Sequence, residues 1–441
     1  MIKSIKELFK NAEFVKYFYN TGWLFTERML KTIVSIIVSI FFIRYLGPEN
    51  YGILSFAQSY VMLFIPLISL GMDSILVRDL VNSNEKRDEI LGTSFILKIT
   101  GGFALIIVVL ISVFVMENDQ ITNIIMVIIA LGLFFQTFNV IDIYFQSKVQ
   151  SKFIAVANII ALSATNALII ILIILEAELI FFAIVVSSSN ILSSLGYLFF
   201  YYYKGLDIRK WRYNVEIAKG LLKDSWPLIL SSIAITVHIH IDRVMIGDFL
   251  TKTDVGIYSV PSNIVIYLSF IPVIITNSLF PAVIESKKSG EKTYLSRLQK
   301  LLDMLIWMGV SIGIVFSVFS YDIIHLLYGK EFIASSIILS ILIWEKAFTF
   351  FSIAASKYII IENITKINLY RTLIGVSLNI ILNLILIPAF GSLGAAIASI
   401  LSVTTQSWIA LLLFKETRGV FYMFIKSFNL YRIYKKGLSL N

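Results

Sequence analysis

The chain has 441 residues, is 58% hydrophobic and only 15% charged, with a mean hydropathy of +0.86 and a net charge of +9. Soluble domains run at about 45–50% apolar and about 25% charged, so this composition excludes a soluble enzyme and specifies a membrane protein. There is no cysteine, which removes disulfides and thiolate metal sites, and in so apolar a chain the positive charge reads as membrane topology, not as nucleic-acid binding.

Residues 1–19 carry Lys3, Lys6, Lys10 and Lys16 among scattered apolar residues, without the continuous core of a cleavable signal peptide. Ile2, Ile5, Leu8, Phe9, Ala12 and Val15 share one helical face, which predicts an interfacial amphipathic helix. A spanning helix needs about 20 mostly apolar residues. Twelve such runs follow, at 20–43, 53–77, 91–116, 121–146, 154–175, 179–203, 225–248, 255–280, 299–320, 333–360, 367–388 and 391–414. The longer connections are 78–90, 204–224, 281–298 and the tail 415–441.

The connections alternate in charge. With the N-terminus inside, the inner segments hold 26 Lys and Arg, whereas the outer ones hold only Arg44, Lys252 and Lys330. That ratio places both termini in the cytoplasm. Outer turns such as Glu117–Gln120 and Glu176–Glu178 are short and acidic.

One turn is written twice. RYLGPENYGILS (Arg44–Ser55) joins spans 1 and 2, and DFLTKTDVGIYS (Asp248–Ser259) joins spans 7 and 8. Leu46, Gly52, Ile53 and Ser55 recur as Leu250, Gly256, Ile257 and Ser259. An offset of six spans preserves direction across the membrane, which predicts a parallel repeat of two six-helix halves. The expected organisation is an N-terminal bundle at 1–203, a basic cytoplasmic linker at 204–224, a C-terminal bundle at 225–414 and a basic amphipathic tail at 415–441.

Charges inside spans are expensive and line a cavity or pair with one another. Glu27, Arg28 and Lys31 lie in span 1, and Lys98 lies about 10 Å inside span 3. His238, His240, Asp242 and Arg243 lie in span 7, and Glu345 and Lys346 near the middle of span 10. Arg28 and Lys31 share a face at i, i+3 and call for an anion. Arg28, Lys31, Lys98, Arg243 and Lys346 outnumber Glu27, Asp242 and Glu345, a balance that suits a phosphate-bearing substrate. These five cations are the candidate substrate site. Glu27, His238, Asp242 and Glu345 are candidates for ion coupling or structural pairing.

Each has a bland reading beside it. Asp242 and Arg243 are adjacent, point about 100° apart and do not face each other; Glu345 and Lys346 share that geometry. Lys98 can snorkel, and Lys357 and Arg371, near cytoplasmic ends, are expected to do so. His238 and His240, at i, i+2, face different sides and do not share a metal. No metal or cofactor is expected. Gly329–Lys330 is followed by Glu331 and is no P-loop. Pro66, Pro227, Pro261, Pro272 and Gly101–Gly102 mark places where spans bend.

RYLGPENYGILSFAQSY with SLGMDSILVRDL (Ser69–Leu80) resembles the polysaccharide-biosynthesis flippases of the O-antigen and teichuronic-acid exporter type. These belong to the multidrug/oligosaccharidyl-lipid/polysaccharide exporter superfamily. Ser225–Ser259, Leu326–Phe332 and Arg371–Ser399 resemble that family's later segments, so the likeness covers most of the chain. It implies an all-α, MATE-like fold of twelve spans in two pseudo-symmetric bundles set in a V, with a central cavity and alternating access. It implies a bacterial cytoplasmic-membrane protein that moves undecaprenyl-diphosphate-linked oligosaccharide to the outer leaflet. A polysaccharide polymerase and a chain-length regulator would be partners, and no nucleic acid would be. Related lipid II flippases carry cavity cations in their first helices, the place Arg28 and Lys31 occupy here; their two extra C-terminal helices have no counterpart.

The rival within the superfamily is a cation-coupled multidrug antiporter, which needs a dominant cavity carboxylate from Asp242, Glu345 or Asp73. A membrane glycan polymerase would need a large outer loop; the longest here is about a dozen residues, 321–332.

Overall fold

The computed structural model describes residues 12–429; a few side chains inside that range, Arg28 among them, lie outside the description, as do the N-terminal segment before Ala12 and the tail beyond Asn429. The described chain is helical throughout. Eighteen α-helices run α1 (Ala12–Met62), α2 (Ile65–Ser69), α3 (Asp73–Asn82), α4 (Arg87–Val115), α5 (Gln120–Phe134), α6 (Asn139–Ser147), α7 (Lys152–Ile174), α8 (Leu179–Tyr203) and α9 (Val215–Phe249). They continue as α10 (Lys252–Leu268), α11 (Phe270–Lys288), α12 (Glu291–Val318), α13 (Ser320–Tyr328), α14 (Ser335–Leu342), α15 (Glu345–Ile361), α16 (Lys366–Phe390), α17 (Ser392–Ser407) and α18 (Arg418–Ser427).

Among the described residues eleven helical segments are long and apolar enough to cross a membrane. The first, Met29–Asn82, holds 54 residues and takes in most of the span expected at 20–43 and all of that at 53–77. Its backbone turns at Gly47, whose φ of 69° a side-chain-bearing residue rarely adopts. Phe103, Phe114, Ile174, Phe199 and Ile385 are exposed at 54–88%, a surface that only lipid would cover.

The chain divides into two compact units, residues 1–46 with 56–236, and residues 47–55 with 237–441. The first is built on Met72, Leu76, Ile90, Val140, Phe145 and Tyr201. The second is built on Tyr294, Leu298, Leu302, Phe350, Phe351 and Phe424. The turn Gly47–Ser55, expected with the first half, belongs to the second unit and packs beside its own repeat.

Local rules explain some helix ends. Asp119 caps α5 by accepting from Thr122 N at 2.9 Å. Thr251 and Asp254 form a reciprocal capping box that starts α10. Span 2 breaks between α2 and α3, where Leu70 (φ 47°) and Gly71 (φ 61°) both take the left-handed conformation.

The twelfth span, expected at 391–414, runs from Ser392 to Leu413, as α17 followed by short 3-10 turns. Three expectations change. The outer loop 321–332 is α13 and a 3-10 turn, with Tyr328 and Phe332 buried. The described part of the tail is α18, whose Val420, Phe421 and Phe424 are buried in the second unit's core. Its end is fixed to α12: Ser427 Oγ donates to Asp303 at 2.7 Å, and Trp307 Nε1 donates to the Ser427 carbonyl at 3.0 Å. Arg371 does not snorkel. It is 2% exposed and donates to the carbonyls of Gln406 (2.8 Å) and Ser407 (3.0 Å), the unsatisfied acceptors at the end of α17.

Candidate functional site

Each unit carries a polar cluster in an apolar setting. In the second, Asp242 projects from α9 and is 7% exposed. It accepts from Tyr258 of α10 at 2.6 Å, from Asn383 of α16 at 2.7 Å and from Ser399 of α17. Asn383 also donates to Asn379, one turn earlier, at 3.3 Å. Four helices therefore converge on one carboxylate. Asn383 Oδ1 and Asn379 Nδ2 are buried without a partner.

Asp242 forms part of the wall of a cavity of about 290 Å³, shared with His238, Ser262, Ser269, Glu345 and Lys346. Lys346 Nζ lies 3.1 Å from Glu345 and donates to Ser269 at 2.9 Å. The expectation that these neighbours do not face each other is overturned. Glu345 is the first residue of α15, after a turn at Ile343–Trp344, and there the two side chains curl together. His238 Nδ1 has no partner.

Arg243 leaves the same turn of α9 in another direction and is 8% exposed. Its Nη2 donates to Ser262 (3.1 Å) and to Asn263 Oδ1 (2.6 Å), and Asn263 donates onward to Tyr51 Oη at 2.6 Å. Its Nε has no partner. Neither Asp242 nor any other described carboxylate makes an ion pair with it.

In the first unit Lys98 is nearly inaccessible, with 2% of its side chain exposed, and sits 2.6 Å from Asp73, which is 58% exposed. Glu27 accepts from Asn158 at 3.0 Å, and Asn158 accepts from Tyr197 at 2.7 Å. Gln146 donates to Asp142 at 3.0 Å. Glu27, Asp73 and Lys98 all lie within electrostatic reach of Asp142. The basic excess expected from spans 1 and 3 is thus offset locally by carboxylates: Asp142, not singled out in the sequence, and Asp73, considered only for the antiporter. Lys31 is exposed on α1, and the side chain of Arg28 lies outside the described residues.

The chemistry of the two clusters differs. Around Asp242 a single carboxylate is ringed by amide and hydroxyl oxygens, a hard donor set that suits a proton or a monovalent cation rather than a transition metal. Among the described residues no group of three His, Asp or Glu is placed to hold a metal ion. Tyr258, Asn379, Asn383 and Ser399 escaped the sequence reading. The one available signal was Asn379 and Asn383, two amides at i, i+4 within an apolar span.

The fold is that of a MATE-like transporter. Over 96% of its length the chain is similar to 99% of a solved multidrug resistance MATE family transporter of the MOP superfamily in its inward-facing conformation (TM-score 0.66, 15% identity). Over 93% it is similar to 92% of the lipid II flippase MurJ in an inward closed conformation (TM-score 0.70, 16% identity). The sequence matches the family described as "Polysaccharide biosynthesis protein" over residues 18–287 and the MatE family over residues 227–385. The chain belongs to the polysaccharide biosynthesis protein family, a family of flippases and transporters within this superfamily rather than of enzymes.

Among its relatives is a protein of Haloferax volcanii described as a probable low-salt glycan biosynthesis flippase, Agl15. It is 30% identical over 193 residues, 43% of this chain and 40% of that one. The match thus spans well under half of that flippase. The capsular polysaccharide biosynthesis protein CapF of Staphylococcus aureus is 25% identical over 403 residues, 89% of this chain and 97% of that protein.

Proposed function

We propose that this protein flips undecaprenyl-diphosphate-linked oligosaccharide repeat units from the inner to the outer leaflet by alternating access, for surface polysaccharide assembly. The observation that carries this reading is Arg243. A buried guanidinium held only by neutral partners is costly, and an arriving anion relieves that cost. A diphosphate offers the oxygen pairs that a guanidinium fork binds best. The glycan and capsule functions named for its relatives support the same substrate class.

In this reading twelve spans form two pseudo-symmetric halves with both termini cytoplasmic, and Arg28, Lys31, Lys98 and Lys346 supply further positive charge along the path. Asp242 and its ring of oxygens hold the coupling cation or proton, with Glu27, His238 and Glu345 as lesser candidates. A polymerase and a chain-length regulator would take the delivered unit. The test is binding of a polyprenyl-diphosphate oligosaccharide to purified wild type and Arg243→Gln. The reading expects at least a tenfold weaker complex for the variant; equal affinity would remove Arg243 from the site.

The buried Asp242 carboxylate also favours a second reading, a cation-coupled multidrug antiporter. Drug resistance conferred on a sensitive host, and lost in Asp242→Asn, would favour it over the flippase.

A further inference from the structure

The sequence between the two halves reads YYYKGLDIRKWRYN from Tyr201 to Asn214 and looks like a loose basic linker. In the structure it is a fixed strap. Trp211 Nε1 donates to Tyr201 Oη at 2.9 Å, and Arg212 N donates to the Asp88 carbonyl at 3.1 Å. Asn214 closes it, with its N on Thr93 Oγ1 and its Nδ2 on Glu89, both at 2.9 Å. Gly92 of α4 makes the docking possible: a Cβ there would sit 2.5 Å from Arg212 N and 2.6 Å from its carbonyl oxygen.

The strap presents Lys204, Arg209, Lys210 and Arg212 as exposed cations. Among the described residues none of the four makes an ion pair. Other basic positions of the same unit do: Arg78 is held by Asp79 and Asp224, Arg87 by Asp88 and Lys219 by Glu216. Asp207 accepts from Arg209 N, and Glu89 accepts from Asn214 Nδ2. Tyr202 (47%), Tyr203 (70%) and Tyr213 (48%) stand exposed at its two ends, the aromatic signature of a membrane–water boundary.

We infer that the strap is a preformed binding plate for anionic phospholipid headgroups on the face that the charge distribution assigns to the cytoplasm. Exposed cations that make no ion pair, four of them against the single strap carboxylate Asp207, on a backbone fixed by hydrogen bonds and edged by interfacial rings, are what a negatively charged leaflet attracts. The ordering is already built into the fold, so a headgroup binds without having to fold a disordered segment.

The test is the association of spin-labelled phosphatidylglycerol, relative to spin-labelled phosphatidylcholine, with the full-length protein reconstituted in phosphatidylcholine vesicles. Wild type should prefer phosphatidylglycerol by roughly threefold or more at low salt, and the preference should fall at high salt. Arg209→Gln with Lys210→Gln should lose most of it. Lys219→Gln with Lys223→Gln, which removes the same charge from α9, should keep it. Gly92→Ala, which lifts the strap without changing any charge, should reduce it.

No preference in wild type would overturn the inference. So would equal losses in the two double variants, which would reduce the effect to net charge. Inorganic pyrophosphate binding to the detergent-solubilised protein through Arg209 and Lys210, without phosphatidylglycerol preference, would also overturn it and assign the strap to a soluble anion. The lipid assay needs no transport substrate, so its outcome is separate from the flippase reading.

Discussion

Gly52 and Gly256, 204 positions apart in the two copies of the repeated turn, occupy each other's backbone. A Cβ on Gly52 would lie 1.7 Å from the Lys252 carbonyl oxygen, and one on Gly256 would lie 2.0 Å from that of Pro48. Pro48 and Lys252 are themselves separated by the same 204 positions, so the contact is reciprocal and follows the repeat. Small residues are what allow membrane helices to cross this closely.

Gly52→Ala and Gly256→Ala should each destabilise the protein. Overpacking costs about 1–3 kcal/mol, and here the obstacle is a backbone carbonyl that cannot rotate away. Thermal unfolding of the purified protein checks this against Gly220→Ala, where the added Cβ meets nothing within 4 Å. The two repeat variants should unfold earlier and the control should not.

The Lys98–Asp73 pair should respond asymmetrically. Lys98→Met leaves Asp73 exposed and free to hydrate. Asp73→Asn leaves an ammonium with 2% of its side chain exposed and no counter-charge at 2.6 Å, a loss of the kind that costs about 3–5 kcal/mol. Denaturant unfolding of both variants should therefore rank Asp73→Asn as the more damaging. The reverse order would mean that Lys98 reaches water.

Arg371→Ala should lower stability with little change in substrate affinity, because its donors end on the carbonyls of Gln406 and Ser407. Orphaning buried acceptors costs about 1–3 kcal/mol each. A drop in melting temperature with unchanged polyprenyl-diphosphate binding is the expected pair of results.

Asp242→Asn should fold, since the amide oxygen still accepts from Tyr258 and Ser399. Transport should fall at least tenfold, and its dependence on sodium or proton gradients should flatten. Flipping by reconstituted protein under imposed gradients measures both. A variant that keeps wild-type gradient dependence would remove Asp242 from coupling.

Hydropathy made the spans legible because a bilayer constrains their length and apolar content strongly. The repeated turn was legible because a close crossing demands glycine at both Gly52 and Gly256. The partners of Asp242 were not: Tyr258, Asn383 and Ser399 come from three other helices, and only folding brings them together. Depth alone misread Arg371, because it does not reveal that α17 ends beside it. The break within span 2 was hidden because Leu70, not a glycine, begins the left-handed turn. The pairing of Glu345 with Lys346 was hidden because the turn before α15 has no proline or glycine to announce it.

The central claim is that a buried, uncompensated arginine helps carry a lipid-linked diphosphate glycan across the membrane. Its most direct test is restoration of surface polysaccharide in a flippase-deleted strain making the cognate glycan, with wild type, Arg243→Lys and Arg243→Ala at matched membrane levels. Wild type should restore the polysaccharide fully, Arg243→Lys partially and Arg243→Ala not at all. Restoration by Arg243→Ala equal to wild type, or none by wild type itself, would contradict that claim.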